Sequence, residues 1–242
     1  GLQTMSFLEL QEISKSYGEG ATQVRALEGI DLSVDVGHLV AVMGPSGSGK
    51  STLLTIAGSL EEPSSGEVFI GGAALRTMSR NDKARLRRRT IGYVFQDFNL
   101  LPGLSAAENV SLPLELDGVP ARRARAAGMA ALEQLGLGDR ADHYPDQLSG
   151  GERQRAAIAR AVVGERHLLL ADEPSGALDS SNGSAVMEMI RDACDRGVAA
   201  IVVTHDAHLA SFADRVVFLR DGRIVEGDAS TGSGRPAAEA RQ

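Results

Sequence analysis

The sequence has little of what would identify a secreted, redox-active or membrane-spanning chain. Among its 242 residues there is one cysteine and no tryptophan, and aromatic residues make up only 4%. Because Cys194 has no second cysteine with which to form an intramolecular disulfide, the sequence fits a reducing compartment such as the cytoplasm. No apolar run approaches the roughly 18 residues that would predict a membrane span, and no signal peptide is visible. We therefore expect any membrane-associated role to depend on another polypeptide.

A strong positive charge is also missing. The formal net charge is -7, so no overall attraction to nucleic acid or anionic lipid is expected. Residues 83–89 are locally basic, but aromatic or base-reading residues are absent there, which favours a solvated helix face and predicts no nucleic-acid partner. The 43% hydrophobic content suits one globular domain, which we place at residues 5–226. Residues 1–4 are interpreted as a tag remnant and residues 227–242 as a flexible tail.

One glycine-rich motif is present in full. Residues 44–51 fit the phosphate-loop pattern G-x-x-x-x-G-K-[ST] at every fixed position, and a threonine follows. An apolar run at residues 39–43 precedes the motif and a helical pattern at residues 50–57 follows it, so the context is a strand, a glycine turn and a helix. This context disfavours the alternative of a glycine-rich turn with a chance lysine. The predicted nucleotide-binding residues are Gly44, Pro45, Ser46, Gly47, Ser48, Gly49, Lys50, Ser51 and Thr52.

The chemistry of this motif follows from its residue types. Glycines let the backbone wrap closely around an anion, so that successive N–H groups and the positive end of the helix point at phosphate. Lys50 adds a positive charge for the outer phosphates, and Ser51 offers a hydroxyl to Mg²⁺.

The remaining pattern predicts an α/β fold. Strand-like stretches at residues 6–15 and 24–34 indicate an amino-terminal antiparallel β subdomain. Residues 97–164 read as an all-helical insert, within which a capping box at Ser105 opens a helix that Pro113 is expected to end. Buried strands at 168–171 and 198–203, separated by a helix, predict a parallel sheet covered on both faces. The fold class is therefore that of a P-loop NTPase with a RecA-like core sheet.

Two carboxylates, Asp172 and Glu173, follow the buried strand at residues 168–171. At the carboxyl end of a parallel strand beside a phosphate loop, Asp172 can hold Mg²⁺, the Walker B role. Glu173 is then placed to act as a general base on the water that attacks the γ-phosphate. The phosphate loop disfavours the alternative of a strand end with two solvated acids.

A second anion-binding pattern lies at the start of a helix. Leu148, Ser149, Gly150, Gly151 and Glu152 place a serine and two glycines where helix N–H groups are free, although they also fit a plain capping box. Followed by Arg-Gln-Arg, this motif resembles the signature of ATP-binding-cassette ATPases, and the motif order along the chain is similar. The resemblance covers residues 6 to about 226.

The resemblance implies roles for further residues. Tyr17 would stack on adenine, Gln96 would contact Mg²⁺ as the Q-loop glutamine, and His205 would contact the γ-phosphate. Asp179 belongs to a segment that matches the D-loop. Without the resemblance, Tyr17 and His205 would be read as ordinary structural residues. The implied catalytic residues are Glu173, His205 and Lys50, and the implied ligands are ATP and Mg²⁺, the latter held by Ser51, Gln96 and Asp172.

The resemblance also implies partners. Two copies of the chain would pack head to tail, so that ATP lies between the phosphate loop of one and the signature of the other. Residues 95–102 and 108–114 resemble the MacB, LolD and FtsE group, which serves macrolide export, lipoprotein release and cell division. This similarity implies an FtsX- or MacB-type permease, with the chain peripheral on the inner face of the cell membrane. The permease contact is expected near residues 98–104, although the apolar residues there also fit an ordinary core.

Three functions stay open at this point. The first is the ATPase subunit of an export or extraction transporter. The second is a regulatory motor of the FtsE kind, which activates extracellular hydrolases through a permease-like partner without transport. The third, a soluble cassette ATPase in translation or DNA repair, is disfavoured because neither a second cassette nor a long coiled-coil insertion is visible.

Overall fold

The computed structural model describes residues 6–175 and 180–225. The predicted tag remnant, the predicted tail at residues 227–242 and the D-loop residue Asp179 lie outside the described residues.

Strands and helices follow one another along the described chain in the order expected of an α/β fold. The strands are β1 (Ser6–Tyr17), β2 (Val24–Asp35), β3 (Leu39–Met43), β4 (Ser65–Ile70), β5 (Ala73–Ala74), β6 (Ile91–Val94), β7 (Leu168–Asp172), β8 (Ala199–Val203), β9 (Arg215–Arg220) and β10 (Arg223–Val225). The helices are α1 (Lys50–Ala57), α2 (Arg80–Thr90), α3 (Ala106–Leu116), α4 (Ala121–Gln134), α5 (Gly150–Val162), α6 (Ser180–Asp195) and α7 (Ala207–Ala210).

The strands form two sheets of different kinds. A four-stranded antiparallel sheet has the order β2-β1-β4-β5. A six-stranded sheet has the order β10-β9-β3-β8-β7-β6, in which all neighbours are parallel except β10 and β9. The phosphate-loop strand β3 is therefore central, and the carboxyl ends of β3, β6, β7 and β8 meet at one edge of the sheet, where α/β proteins bind ligands.

Alternating side chains of the six-stranded sheet build a core on each face. Leu168, Leu170 and Ile201 pack with α1 and the antiparallel sheet, whereas Leu169 and Val202 pack with α5 and α6. Because successive residues of a strand point to opposite faces, a strand covered on both faces must be apolar throughout. This explains why these strands read as uninterrupted apolar runs.

Helices α3, α4 and α5 share a third core, which includes the buried Val110, Leu132 and Ala159. The expectation that Pro113 ends the preceding helix is wrong: Pro113 lies inside α3, which continues to Leu116. A proline inside a helix costs about 3 kcal/mol, and the packing of α3 against α4 and α5 offsets that cost. In the described part of the chain no helix is both long and apolar enough to cross a membrane.

Candidate functional site

A cavity of about 590 Å³ opens at the carboxyl edge of the six-stranded sheet. It collects residues from the phosphate loop, the ends of β6, β7 and β8, and the start of β2, which are far apart in sequence. The lining residues are Val24, Arg25, Ala26, Gly44, Pro45, Ser46, Gly47, Gly49, Lys50, Ser51, Thr52, Gln96, Asp172, Glu173 and His205. The structure thus brings together most of the residues that the sequence assigned to one site.

Steric constraints require glycine at both ends of the phosphate loop. Gly44 has φ 156°, and a Cβ there would lie 2.1 Å from the carbonyl oxygen of Leu219. Gly49 has φ 101°, and a Cβ there would lie 2.5 Å from the carbonyl oxygen of Ala26. Both neighbours are backbone atoms that cannot move aside. The loop therefore takes its shape because it packs directly on β2 and on the β9–β10 hairpin.

The turn of the β9–β10 hairpin also bonds to the loop. The N–H of Gly222 donates to the carbonyl of Ser48 at 3.0 Å, and the carbonyl of Gly222 accepts from the N–H of Glu28 at 2.8 Å. One glycine thus links the phosphate loop to β2, and this part of the fold holds the loop backbone in place.

Lys50 lies at the mouth of the loop. Its ammonium donates to the carbonyl of Pro45 at 3.0 Å and also to the carbonyl of Gly44. Because a lysine has three N–H donors, one remains for an anion inside the curve of the loop. The first residues of α1, including Lys50, also carry N–H groups without an intrahelical acceptor, which adds to the positive potential.

Asp172 and Ser51 form the part of the site suited to a cation. Ser51 donates its hydroxyl hydrogen to Oδ2 of Asp172 at 3.0 Å. Burial raises the pKa of Asp172, while the Ser51 hydrogen bond and the Lys50 charge oppose that rise. With the amide of Gln96 on the same cavity wall, the donor set consists of a hydroxyl, a carboxylate and an amide oxygen, the hard ligands that Mg²⁺ prefers. Such a half-buried carboxylate, short of compensating positive charge, fits a divalent cation.

Glu173 and His205 face one another across the same cavity. Oε1 of Glu173 lies 3.0 Å from Nδ1 of His205. The Glu173 side chain is 15% exposed and that of His205 is 78% exposed. Glu173 has φ 46°, unusual for a non-glycine residue, and its N–H donates to the carbonyl of Val203 at 2.9 Å. This backbone geometry turns the carboxylate from the end of β7 toward the cavity.

The signature residues lie elsewhere. Ser149 is the N-cap of α5 and forms a reciprocal capping box with Glu152, with distances of 3.2 Å and 3.1 Å. Leu148 is buried in the helical core, and a Cβ on Gly150 would meet nothing within 4 Å. None of these residues lines the cavity, so this chain does not close its own site with its own signature.

Tyr17 also stands outside the cavity lining. Its hydroxyl donates to Oε2 of Glu61 at 2.7 Å, and the Lys15 ammonium lies 5.2 Å from the ring centroid. Tyr17 is 40% exposed. The adenine contact assigned to it stays a prediction.

Sequence reasoning missed the part of the cavity wall that β2 supplies. Val24, Arg25 and Ala26 line the cavity because the start of β2 packs beside the phosphate loop. The sequence offered no signal for this, since the three residues read only as the beginning of an alternating strand.

Side-chain hydrogen bonds hold the backbone of the loop after β6, residues 95–104. Fully buried Asn109 accepts from the N–H of Leu101 at 2.7 Å and donates to the carbonyls of Leu101, Leu104 and Ser105. Arg160 donates to the carbonyl of Asn99 at 2.7 Å and to the preceding carbonyl at 2.6 Å. These bonds use backbone atoms only, and the Leu101 side chain is 45% exposed.

Comparisons with known proteins agree with this arrangement. A family profile described as "ABC transporter" matches residues 27–176. The macrolide export ATP-binding/permease protein MacB of Marinobacter nauticus is 45% identical over 96% of this chain, which spans 36% of that protein. An uncharacterised ABC transporter ATP-binding protein of Methanocaldococcus jannaschii, MJ1508, is 45% identical over 90% of this chain and 98% of its own length. The chain therefore spans about a third of some relatives and nearly all of others.

A solved structure is similar as well. The ATP-binding cassette MJ0796, in a dimeric post-hydrolysis state bound to ADP and Pi, superposes with a TM-score of 0.86. Its sequence is 38% identical, and the match covers 93% of this chain and 99% of that one. The resemblance and the fold class inferred from the sequence are confirmed by these matches.

Replacing Asp172 by asparagine should change how stability depends on pH. Because folding raises the pKa of Asp172, the ionised carboxylate is destabilising in the folded protein. This destabilisation is absent below the ordinary aspartate pKa of about 3.9 and grows as pH rises through the folded-state pKa. Without divalent cations, D172N should therefore resist urea better than the parent chain at neutral pH, and the difference should vanish in acid.

Urea unfolding from acid to neutral pH tests this expectation. Exposed Asp139 is the matched control, since D139N should show no such difference. A D172N effect of equal size at every pH would contradict it.

Proposed function

Because this chain belongs to the ABC transporter family, whose members are ATPases, we propose that it binds and hydrolyses MgATP to drive a permease in export or in extraction of lipids or lipoproteins. The observation that carries the proposal is the composition of the cavity. The phosphate loop, Asp172, Glu173 and His205 line it, whereas the signature residues do not. The cavity is therefore half of a nucleotide site. The second anion-binding helix end, the start of α5, does not line it.

A second copy of the chain supplies the missing half. In the proposed dimer, Ser149, Gly150 and Gly151 of one copy close over the phosphate loop of the other. The dimeric state of the MJ0796 cassette supports this arrangement. The free N–H groups at the start of α5 and its positive helix end suit the phosphates of a nucleotide held from the opposite side.

The site residues predicted from the sequence have the following roles in this proposal. The phosphate-loop N–H groups and Lys50 bind the phosphates, and Tyr17 stacks on the adenine. Ser51, Gln96 and Asp172 would hold Mg²⁺, which when bound neutralises charge on the β- and γ-phosphates. Glu173 accepts a proton from the attacking water, and His205, 3.0 Å from it, fixes the orientation of the carboxylate and contacts the γ-phosphate.

The regulatory-motor alternative uses the same site and the same dimer. It differs only in what the membrane partner does, so the chain's own residues do not separate the two. Cargo or an associated hydrolase that co-purifies with the permease would decide between them. The position on the inner face of the cell membrane follows from either version, through the permease.

Replacing Glu173 by glutamine should abolish turnover while binding persists. Loss of a general base lowers rate by about 10²–10⁴-fold, and glutamine keeps the shape and the acceptor oxygen. E173Q should therefore form an ATP-dependent dimer that is stable on size-exclusion chromatography. Exposed Glu165 provides the control, E165Q, with normal turnover. Normal hydrolysis by an E173Q dimer would exclude Glu173 as the base.

Mixing two inactive variants tests the composite site. K50A removes the phosphate-binding ammonium, and G150E adds a negative charge where the signature would meet phosphate. Since a Cβ at Gly150 meets nothing within 4 Å and an acid suits a helix start, G150E should fold normally.

Each variant alone should be inactive, because both of its sites carry the defect. In a mixed dimer one site carries both defects and the other carries none. With random pairing and independent sites, an equal mixture should regain about a quarter of the parent activity. A mixture that stays inactive, while each variant is folded by circular dichroism, would contradict the shared site.

Replacing Leu101 by serine should weaken binding to the permease. The loop backbone is fixed by Asn109 and Arg160, so losing the exposed side chain should leave folding and basal hydrolysis unchanged. The tagged chain is used to capture a permease with a large extracytoplasmic domain from detergent-solubilised membranes of the source cells. L101S should retain less of it, and L116S, at the exposed end of α3, should retain as much as the parent. If the parent chain captures no membrane protein in this experiment, the transporter proposal is contradicted.

A further inference from the structure

Glu61, which follows the end of α1, bonds to side chains from β1. Its Oε2 accepts from the hydroxyl of Tyr17 at 2.7 Å and lies 3.5 Å from that of Thr55, which donates to the carbonyl of Thr52 at 2.9 Å. Its Oε1 lies 3.1 Å from the ammonium of Lys15. The carboxylate therefore has a phenol, an alcohol and a cation around it, which lower its pKa against the opposing effect of burial. A carboxylate bonded in this way has little freedom to move.

Lys15 also restricts Tyr17. Its ammonium donates to the carbonyl of Glu62 at 2.8 Å and lies 5.2 Å from the centroid of the Tyr17 ring. A cation over an aromatic ring is attracted to its face. With one face of the ring engaged by Lys15 and the hydroxyl engaged by Glu61, only the other face can accept a planar group.

Helix α1 connects this cluster to the phosphate loop. The helix begins at Lys50, at the end of the phosphate loop, and the N–H groups of Leu60 and Glu61 donate to the carbonyl of Thr55 at 2.9 Å and 3.3 Å. Glu61 is thus bonded to the last turn of the same helix whose first turn faces the phosphates. Helix α1 thus connects the phosphate-binding end to the carboxylate that bonds to Tyr17.

We propose that Glu61 is a positioning residue for nucleotide binding, which holds the ring of Tyr17 at a fixed distance from the phosphate loop so that its free face receives the purine base. The inference rests on the proposed ATP-binding function. It assigns the orientation of the base-binding ring to an acid that has no contact with the nucleotide itself. The neighbouring Glu62 has a different task, since it pairs with Lys83 at 2.7 Å.

The test compares E61Q with E62Q in steady-state ATP hydrolysis. E61Q loses the charge that holds both Tyr17 and Lys15, so KM for ATP should rise about three- to tenfold, as expected for one ordinary hydrogen bond, with kcat within about twofold. E62Q should leave both constants unchanged. Binding of inorganic tripolyphosphate, which has no base, should be the same in E61Q and the parent chain.

A double-mutant cycle shows whether Glu61 acts through Tyr17. Y17F keeps the ring and removes the hydroxyl that bonds to Glu61, so it should raise KM to a similar degree. If the two residues act together, the double variant should bind ATP no more weakly than either single variant. Additive losses, or an unchanged KM in E61Q, would overturn the inference.

The near-ultraviolet absorbance of tyrosine reports on the hydrogen bond between Tyr17 and Glu61 without ATP hydrolysis. The chain has no tryptophan and three tyrosines, so its near-ultraviolet titration is due to tyrosine alone. Burial and the Glu61 bond raise the pKa of Tyr17, so the titration step that is absent in Y17F should move to lower pH in E61Q. An unmoved step would also overturn the inference. Failure of the parent chain to bind ATP at all would instead contradict the proposed function, which keeps the two failures distinct.

Discussion

The close approach of backbone to backbone around the phosphate loop is the constraint on which the rest of the site depends. Gly44 packs against the carbonyl of Leu219 and Gly49 against that of Ala26, at distances that leave no room for a side chain. The hydrogen bond from Gly222 to Ser48 adds a second contact from the β9–β10 hairpin. Because two segments distant in sequence hold it, the loop is shaped before any anion arrives, and binding need not order it.

The charges of the site are arranged around this rigid loop. Asp172 and Glu173 follow one another on the chain, yet their surroundings differ, since Asp172 accepts from Ser51 while Glu173 faces His205. The left-handed backbone of Glu173 separates the two side chains. One carboxylate is thus directed at the helix that carries the phosphate loop and the other at the open cavity, which suits a cation ligand and a general base respectively.

How much the sequence could predict depended on whether local or distant contacts decide each feature. The bounds of β3 and α1 were predictable to the residue, because an apolar run ends at Gly44 and a helical run ends before Gly58. Pro113 was misjudged because packing of α3 within the helical core outweighs a local preference. The lining residues Val24 to Ala26 and the bond from Tyr17 to Glu61 depend on pairing across long separations, for which the chain carries no local signal.

The capping box between Ser149 and Glu152 leaves the start of α5 able to bind a group from a second chain. Ser149 Oγ accepts from the N–H of Glu152, so its own hydroxyl hydrogen stays free to donate. Glu152 adds a negative charge close to the phosphates of the proposed dimer. Arg140, 3.4 Å from Glu152, offsets that charge. The first N–H groups of α5 therefore remain suited to an anion. Because they lie outside the chain's own cavity, the proposed site is closed by a second copy of the chain.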